Sequence, residues 1–155
     1  MENLTRIASF SVNHDLIDEG IYISRIDGDI TTYDMRTRRP NMGDYMDNLT
    51  MHSLEHMFAT YVRNSEIGSE VIYFGPMGCQ TGFYLLVRNT ECETVLKTVL
   101  DVLERIISHN GDMPGASRVE CGNYQNLSVE AARAEAARYL AVLRSRENDF
   151  KYRTE

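Results

Sequence analysis

Residues 20–36 read Gly-Ile-Tyr-Ile-Ser-Arg-Ile-Asp-Gly-Asp-Ile-Thr-Thr-Tyr-Asp-Met-Arg. Both halves are rich in β-branched and aromatic residues, the types that fit a pleated, half-buried surface. Asp27-Gly28 between them is a hairpin turn signal, so this stretch predicts two antiparallel strands. Residues 69–75 and 82–88 carry the same composition and predict two more strands. Pro76-Met77-Gly78-Cys79-Gln80-Thr81 lies between them, a compact loop punctuated by Pro and Gly.

Outward from the strands, three segments have helical periodicity. In residues 48–64, Leu49, His52, Leu54, His56, Met57 and Tyr61 are spaced for more than one buried face, with Asn48 or Thr50 as the cap. Residues 91–109 start at a capping-box signature, Thr90 with Glu93, and repeat Val95, Leu96, Val99, Leu103 and Ile106 before Gly111 and Pro114 stop them. Residues 128–147 are alanine-rich, start at Ser128, and carry Glu130–Arg133 and Glu135–Arg138 as candidate pairs. The sum is an α+β domain, an antiparallel sheet packed with helices in two layers.

The chain has 155 residues, with no repeat, low-complexity tract or linker to divide it, so residues 1–155 are expected to form one domain. Apolar residues make up 43% and charged residues 25%, which fits a packed core rather than disorder. The net charge is −7, and Arg36, Arg38 and Arg39 form the single basic cluster; nucleic acid is not an expected partner. No apolar run approaches the ~20 residues that span a bilayer, and Met1 to Phe10 lack the apolar segment of a signal peptide. A cytoplasmic location is expected. Three cysteines, Cys79, Cys92 and Cys121, are too few and odd in number for a disulfide scaffold and fit a reducing compartment.

His52-Ser53-Leu54-Glu55-His56 bears most on function. At ~3.6 residues per turn, residues four apart lie about 40° apart around a helix, so His52 and His56 point the same way. Glu55 stays near that face. This is His-x-x-Glu-His, the inverse of the zincin motif. Two ordinary helix histidines are the bland alternative, but the Glu in the inverted-zincin place favours a metal. A catalytic metal takes about three protein ligands and keeps an open position. Cys92 is expected in the core, and His109 complements a helix C-terminus. Cys79, Cys121 and His14 remain as third-ligand candidates. Cys79 follows Gly78 in a tight loop, where a thiol is either a nucleophile or proton carrier, or a small buried hydrophobe.

Together these segments resemble the LuxS family of S-ribosylhomocysteine lyases. Ser9-Phe10 with His14, Tyr33-Asp34-Met35-Arg36 with Pro40-Asn41, the His52–His56 helix, the Pro76–Tyr84 loop and Cys121-Gly122 each resemble a family motif, in order along nearly the whole chain. The resemblance implies that His52, His56 and Cys121 bind the metal, iron(II) with zinc(II) as a substitute. It implies that Cys79 and Glu55 carry protons, and that Ser9, His14 and Arg36 contact substrate. It implies an active site at a homodimer interface, and a reaction that cleaves S-ribosylhomocysteine to homocysteine and 4,5-dihydroxy-2,3-pentanedione. That product is the precursor of the quorum-sensing signal autoinducer-2, and the reaction belongs to methyl-cycle recycling. Without the resemblance, Arg36 reads as a solvated strand-end charge, and Ser9 and His14 as surface residues.

Two segments depart from the family pattern. Tyr73-Phe74-Gly75 stands where many members have Asp-Ile-Ser, and Arg38 where many have Cys. Two rival readings are a His-x-x-Glu-His metallopeptidase-like hydrolase and a non-catalytic metal-binding protein. In the second, Cys79 joins His52, His56 and Cys121 as a fourth ligand and closes the site.

Overall fold

The computed structural model describes residues 2–154, so the outermost residues of the expected 1–155 domain, Met1 and Glu155, lie outside the described residues. The hairpin forms as β1 (Gly20–Asp27) and β2 (Ile30–Arg36), paired antiparallel from Gly20↔Arg36 to Asp27↔Ile30. The two-residue loop is therefore Gly28-Asp29, one position beyond the expected turn. Gly28 takes the first loop position at φ +62°, a conformation that favours glycine. β3 (Val71–Pro76) and β4 (Gly82–Arg88) make the second hairpin, and the sheet order is β1-β2-β4-β3, antiparallel throughout.

A four-residue helix, α1 (Ala8–Ser11), precedes the sheet. Three long helices follow: α2 (Asn48–Arg63), α3 (Cys92–Ile107) and α4 (Val129–Arg144). Alternation sends Tyr33 and Met35 of β2, and Phe83, Leu85 and Val87 of β4, into one core with Leu54, Met57 and Phe58 of α2. Phe58, Phe74 and Phe83 stack in series at centroid distances of 4.4 and 4.9 Å and bind α2 to the sheet. Val99, Val102 and Leu103 of α3 and Ala132, Ala136 and Tyr139 of α4 complete this core.

Local details differ from the sequence expectations for physical reasons. Asp47, not Asn48 or Thr50, caps α2, its side chain accepting from Thr50 N. The capping box at Thr90 does not form. Glu91 is the N-cap, without a side-chain bond, and the Thr90 hydroxyl donates to Arg88 O instead. Ser128 caps α4 as expected, accepting from Ala131 N. The two candidate pairs on α4 give way to longer-range partners. Arg38 clamps buried Glu135 through Nε and Nη2 at 3.0 and 2.6 Å, Arg138 pairs with Glu19, and Arg133 donates to Ile107 O.

Candidate active site and metal centre

Helix α2 presents His52 and His56 one turn apart, their ring centroids 4.7 Å from each other. Cys121 arrives from the 108–127 segment between α3 and α4, and the three ligand atoms lie within 4.8 Å of one another. This segment and the start of α4 are tied to α2 by hydrogen bonds at several positions. His52 Nδ1 donates to Asn126 O at 2.7 Å, His56 Nδ1 to Pro114 O at 2.9 Å, and Ser128 N to the buried Ser53 hydroxyl at 2.8 Å. A carbonyl only accepts, so each Nδ1 is a donor, and Nε2 is the ring nitrogen left to face a metal. His52 Nε2 lies 3.5 Å from Cys121 Sγ, and Asn123 N donates to the same sulfur at 3.4 Å. Gly115 makes the tight approach feasible. At φ +70° it follows Pro114, and a Cβ there would stand 3.1 Å from His56 Nδ1.

Two imidazoles and one sulfur held by an amide donor form a three-ligand set that could hold a metal ion. Beside it, His52 and Glu55 line a cavity of about 280 Å³ with Met51, Asn123, Asn126 and Pro76. Pro76 ends β3 at the base of the cysteine loop. Cys79 itself is outside the ligand group; its sulfur lies 2.9 Å from Thr81 Oγ1. This geometry does not favour the closed four-ligand alternative. Cys92 packs at the core edge, and His109 is held between the Tyr61 hydroxyl and Asp112 O, so neither joins the metal set.

The cysteine loop is a hairpin turn. Gln80 N donates to Met77 O, Met77 N to Gly82 O, and Gln80 adopts φ +65°. Gly82 is required by close approach, because a Cβ would meet Met35 O of β2 at 2.5 Å. Arg36 reaches this loop from β2. It is buried rather than solvated, 2% exposed, and its Nε and Nη2 grip Asp34 while Nη1 donates to Thr81 Oγ1 at 2.8 Å. Burial opposes the guanidinium charge, but the Asp34 carboxylate outweighs it and holds Arg36 above its ordinary pKa. Tyr152 of the C-terminal segment donates to Asp34 Oδ2 at 2.7 Å, and burial, then that carboxylate, push its phenol up. Nothing in the sequence pattern marked Tyr152 or the Arg38–Glu135 clamp. The first is a contact across 118 positions and the second across 97.

Ser9 and His14 lie elsewhere. Ser9 sits on α1, beside Tyr84, Tyr73 and Leu86 on the sheet face turned away from the helices, around a cavity of about 310 Å³. His14 opens a short 3-10 turn and bonds Val12 O through Nδ1. Among the described residues no hydrogen bond joins either one to Cys79, Glu55 or the metal set. Of the departures, Arg38 is spent on Glu135 and Asp44. Tyr73 is exposed, its ring folded over Gly75 into the space a side chain would need.

The family model described as S-Ribosylhomocysteinase (LuxS) matches residues 7–149. An S-ribosylhomocysteine lyase of Borrelia garinii subsp. bavariensis is 37% identical over 156 residues, covering 96% of this chain and 99% of that protein. Those of Finegoldia magna and Clostridium acetobutylicum are 40% and 38% identical, each covering 90% of this chain and 92% of the relative. The metal-set geometry, the cysteine loop and these matches lead to one conclusion: the chain belongs to the LuxS family of S-ribosylhomocysteinases.

Proposed function

We infer that the protein is an S-ribosylhomocysteine lyase, releasing homocysteine and 4,5-dihydroxy-2,3-pentanedione, with residues 1–155 as its single domain. The observation that carries this reading is the three-ligand set of His52, His56 and Cys121 beside Glu55, in a chain of the LuxS family. The donor set fits iron(II), with zinc(II) as a substitute, since imidazole and thiolate suit both. When bound there, the metal supplies Lewis acidity to the carbonyl and hydroxyl oxygens of the sugar.

The chain's residues must move protons. Shifting the aldose carbonyl from C1 toward C3 takes a proton from carbon beside a carbonyl and returns it to the neighbouring position. Cys79 performs the earlier transfers as a thiolate that accepts and then gives back the proton. Glu55 performs the later transfer and removes the proton whose loss expels homocysteine by β-elimination. Each such group contributes about 10²–10⁴-fold.

Ser9, His14 and Arg36 contact the substrate, Arg36 through the N–H donors that Asp34 and Thr81 leave free. Because Ser9 and His14 are separate from the metal set within one chain, a homodimer brings them to the partner's metal set. Exposed Ile7, Phe10 and Tyr73 near Ser9 supply apolar surface for that interface. No helix among the described residues is long and apolar enough to cross a membrane. The enzyme acts in the cytoplasm on a small-molecule substrate, without nucleic acid or membrane as a partner.

The test is thiol release. Protein purified without oxygen, loaded with iron(II) and given S-ribosylhomocysteine is expected to release free thiol, and the Cys79→Ala variant is not. No release from folded, metal-loaded wild type would refute the lyase reading.

A further inference from the structure

Thr81 stands between two functional groups, and its hydroxyl touches both. The residue is 1% exposed. Arg36 Nη1 lies 2.8 Å from Thr81 Oγ1, and a guanidinium has no acceptor, so the hydroxyl oxygen accepts there. The hydroxyl proton is left to donate, and Cys79 Sγ lies 2.9 Å away. The direction of Arg36 is fixed in turn by Asp34, which also receives the Tyr152 hydroxyl. The hydrogen bonds thus run from Tyr152 and Arg36 into Asp34 and from Arg36 into Thr81, which leaves the Thr81 proton free to turn to the sulfur. A hydrogen bond from an O–H to a charged sulfur is stronger than one to a neutral thiol.

We propose that Thr81 is a positioning residue: its hydroxyl, oriented by Arg36, donates to Cys79 and holds the sulfur as a proton acceptor. The charged and titratable groups that face this sulfur are Arg36 and Tyr84, and Asp34 and Tyr152 in turn face Arg36. The proposal deepens the reading of Cys79 as a proton carrier and rests on it for its catalytic meaning. The Thr81 backbone is held independently, its carbonyl accepting from Thr37 N and Arg38 N, so removing the hydroxyl spares the loop's main anchor.

The test reads the thiolate directly, without turnover. Zinc-loaded wild type, Thr81→Val, Thr81→Ala and Thr81→Ser are treated with iodoacetamide at neutral pH, where the thiolate sulfur forms the new carbon bond and iodide leaves. Peptide mapping follows Cys79 apart from Cys92 and Cys121. Loss of a hydrogen bond to a charged group slows alkylation of Cys79 about ten-fold in Thr81→Val. Thr81→Ala slows it similarly, and Thr81→Ser restores it. Thr81→Ala carries the comparison alone if the valine variant does not fold. Wild-type rates without the hydroxyl, or a serine variant as slow as the others, overturn the proposal. Alkylation that depends on Thr81 in a chain without lyase activity would refute the lyase reading and keep the relay. Turnover with alkylation independent of Thr81 would do the reverse.

Discussion

At the corner between α2 and the 108–127 segment, every feature converges within one chain: two histidines oriented by backbone carbonyls, a sulfur beside them, and a glycine where the loop touches His56. Ser9, against the outer face of the sheet, and His14 sit on a segment in which α1 and the following 3-10 turn bury no residue, and Leu4, Ile7 and Phe10 are exposed. The first region is set by local geometry. The second lacks the burial that would fix a substrate contact, which is the reason for assigning its completion to a second copy. The Arg36–Thr81–Cys79 chain combines both characters, buried at its arginine end and open at its sulfur.

Three variants sharpen this contrast. Cys121→Ala removes one of three ligands, so metal affinity should fall by more than the ~10–100-fold that outer-shell changes cost, while the outer face and dimer formation stay unchanged. Metal analysis and sedimentation check both halves, and full metal content would break the assignment of the corner. Gly115→Ala places a methyl against His56 at a backbone angle unfavourable to alanine. It should weaken metal binding by about ten-fold and stability by about 1 kcal/mol. A chelator titration that matches wild type would show that the loop does not position His56. Tyr152→Phe leaves buried Asp34 with one donor fewer and should cost about 1 kcal/mol in urea unfolding with metal affinity intact. A parallel loss of metal would mean the two regions are coupled.

The sheet, the helices and the His52–His56 pair were legible because each is a short-range pattern. β-Branched and aromatic composition with turn signals placed the strands, and the i, i+4 spacing placed His52 over His56. The caps were less legible, since Asp47 and Thr90 were decided by small differences in where the chain enters a helix. Contacts between distant positions left no local trace. Arg36 looks like a strand-end charge until Asp34, Thr81 and Tyr152 surround it, and α4's charges find partners on other elements rather than on their own helix. The choice of Cys121 over Cys79 as third ligand came from family resemblance; the residues alone left both open, and folding separates them.

The claim that two chains build each active site is tested most directly by mixing two inactive variants. His14→Ala and Glu55→Gln proteins are unfolded together, refolded, loaded with iron(II) and assayed for thiol release. In a two-fold dimer, a mixed pair has one site with both defects and one intact site. Random pairing therefore restores about a quarter of wild-type activity. No restored activity, from a mixture shown to contain mixed dimers and in which refolded wild type is active, would contradict the account and place His14 and Glu55 in the same chain's site.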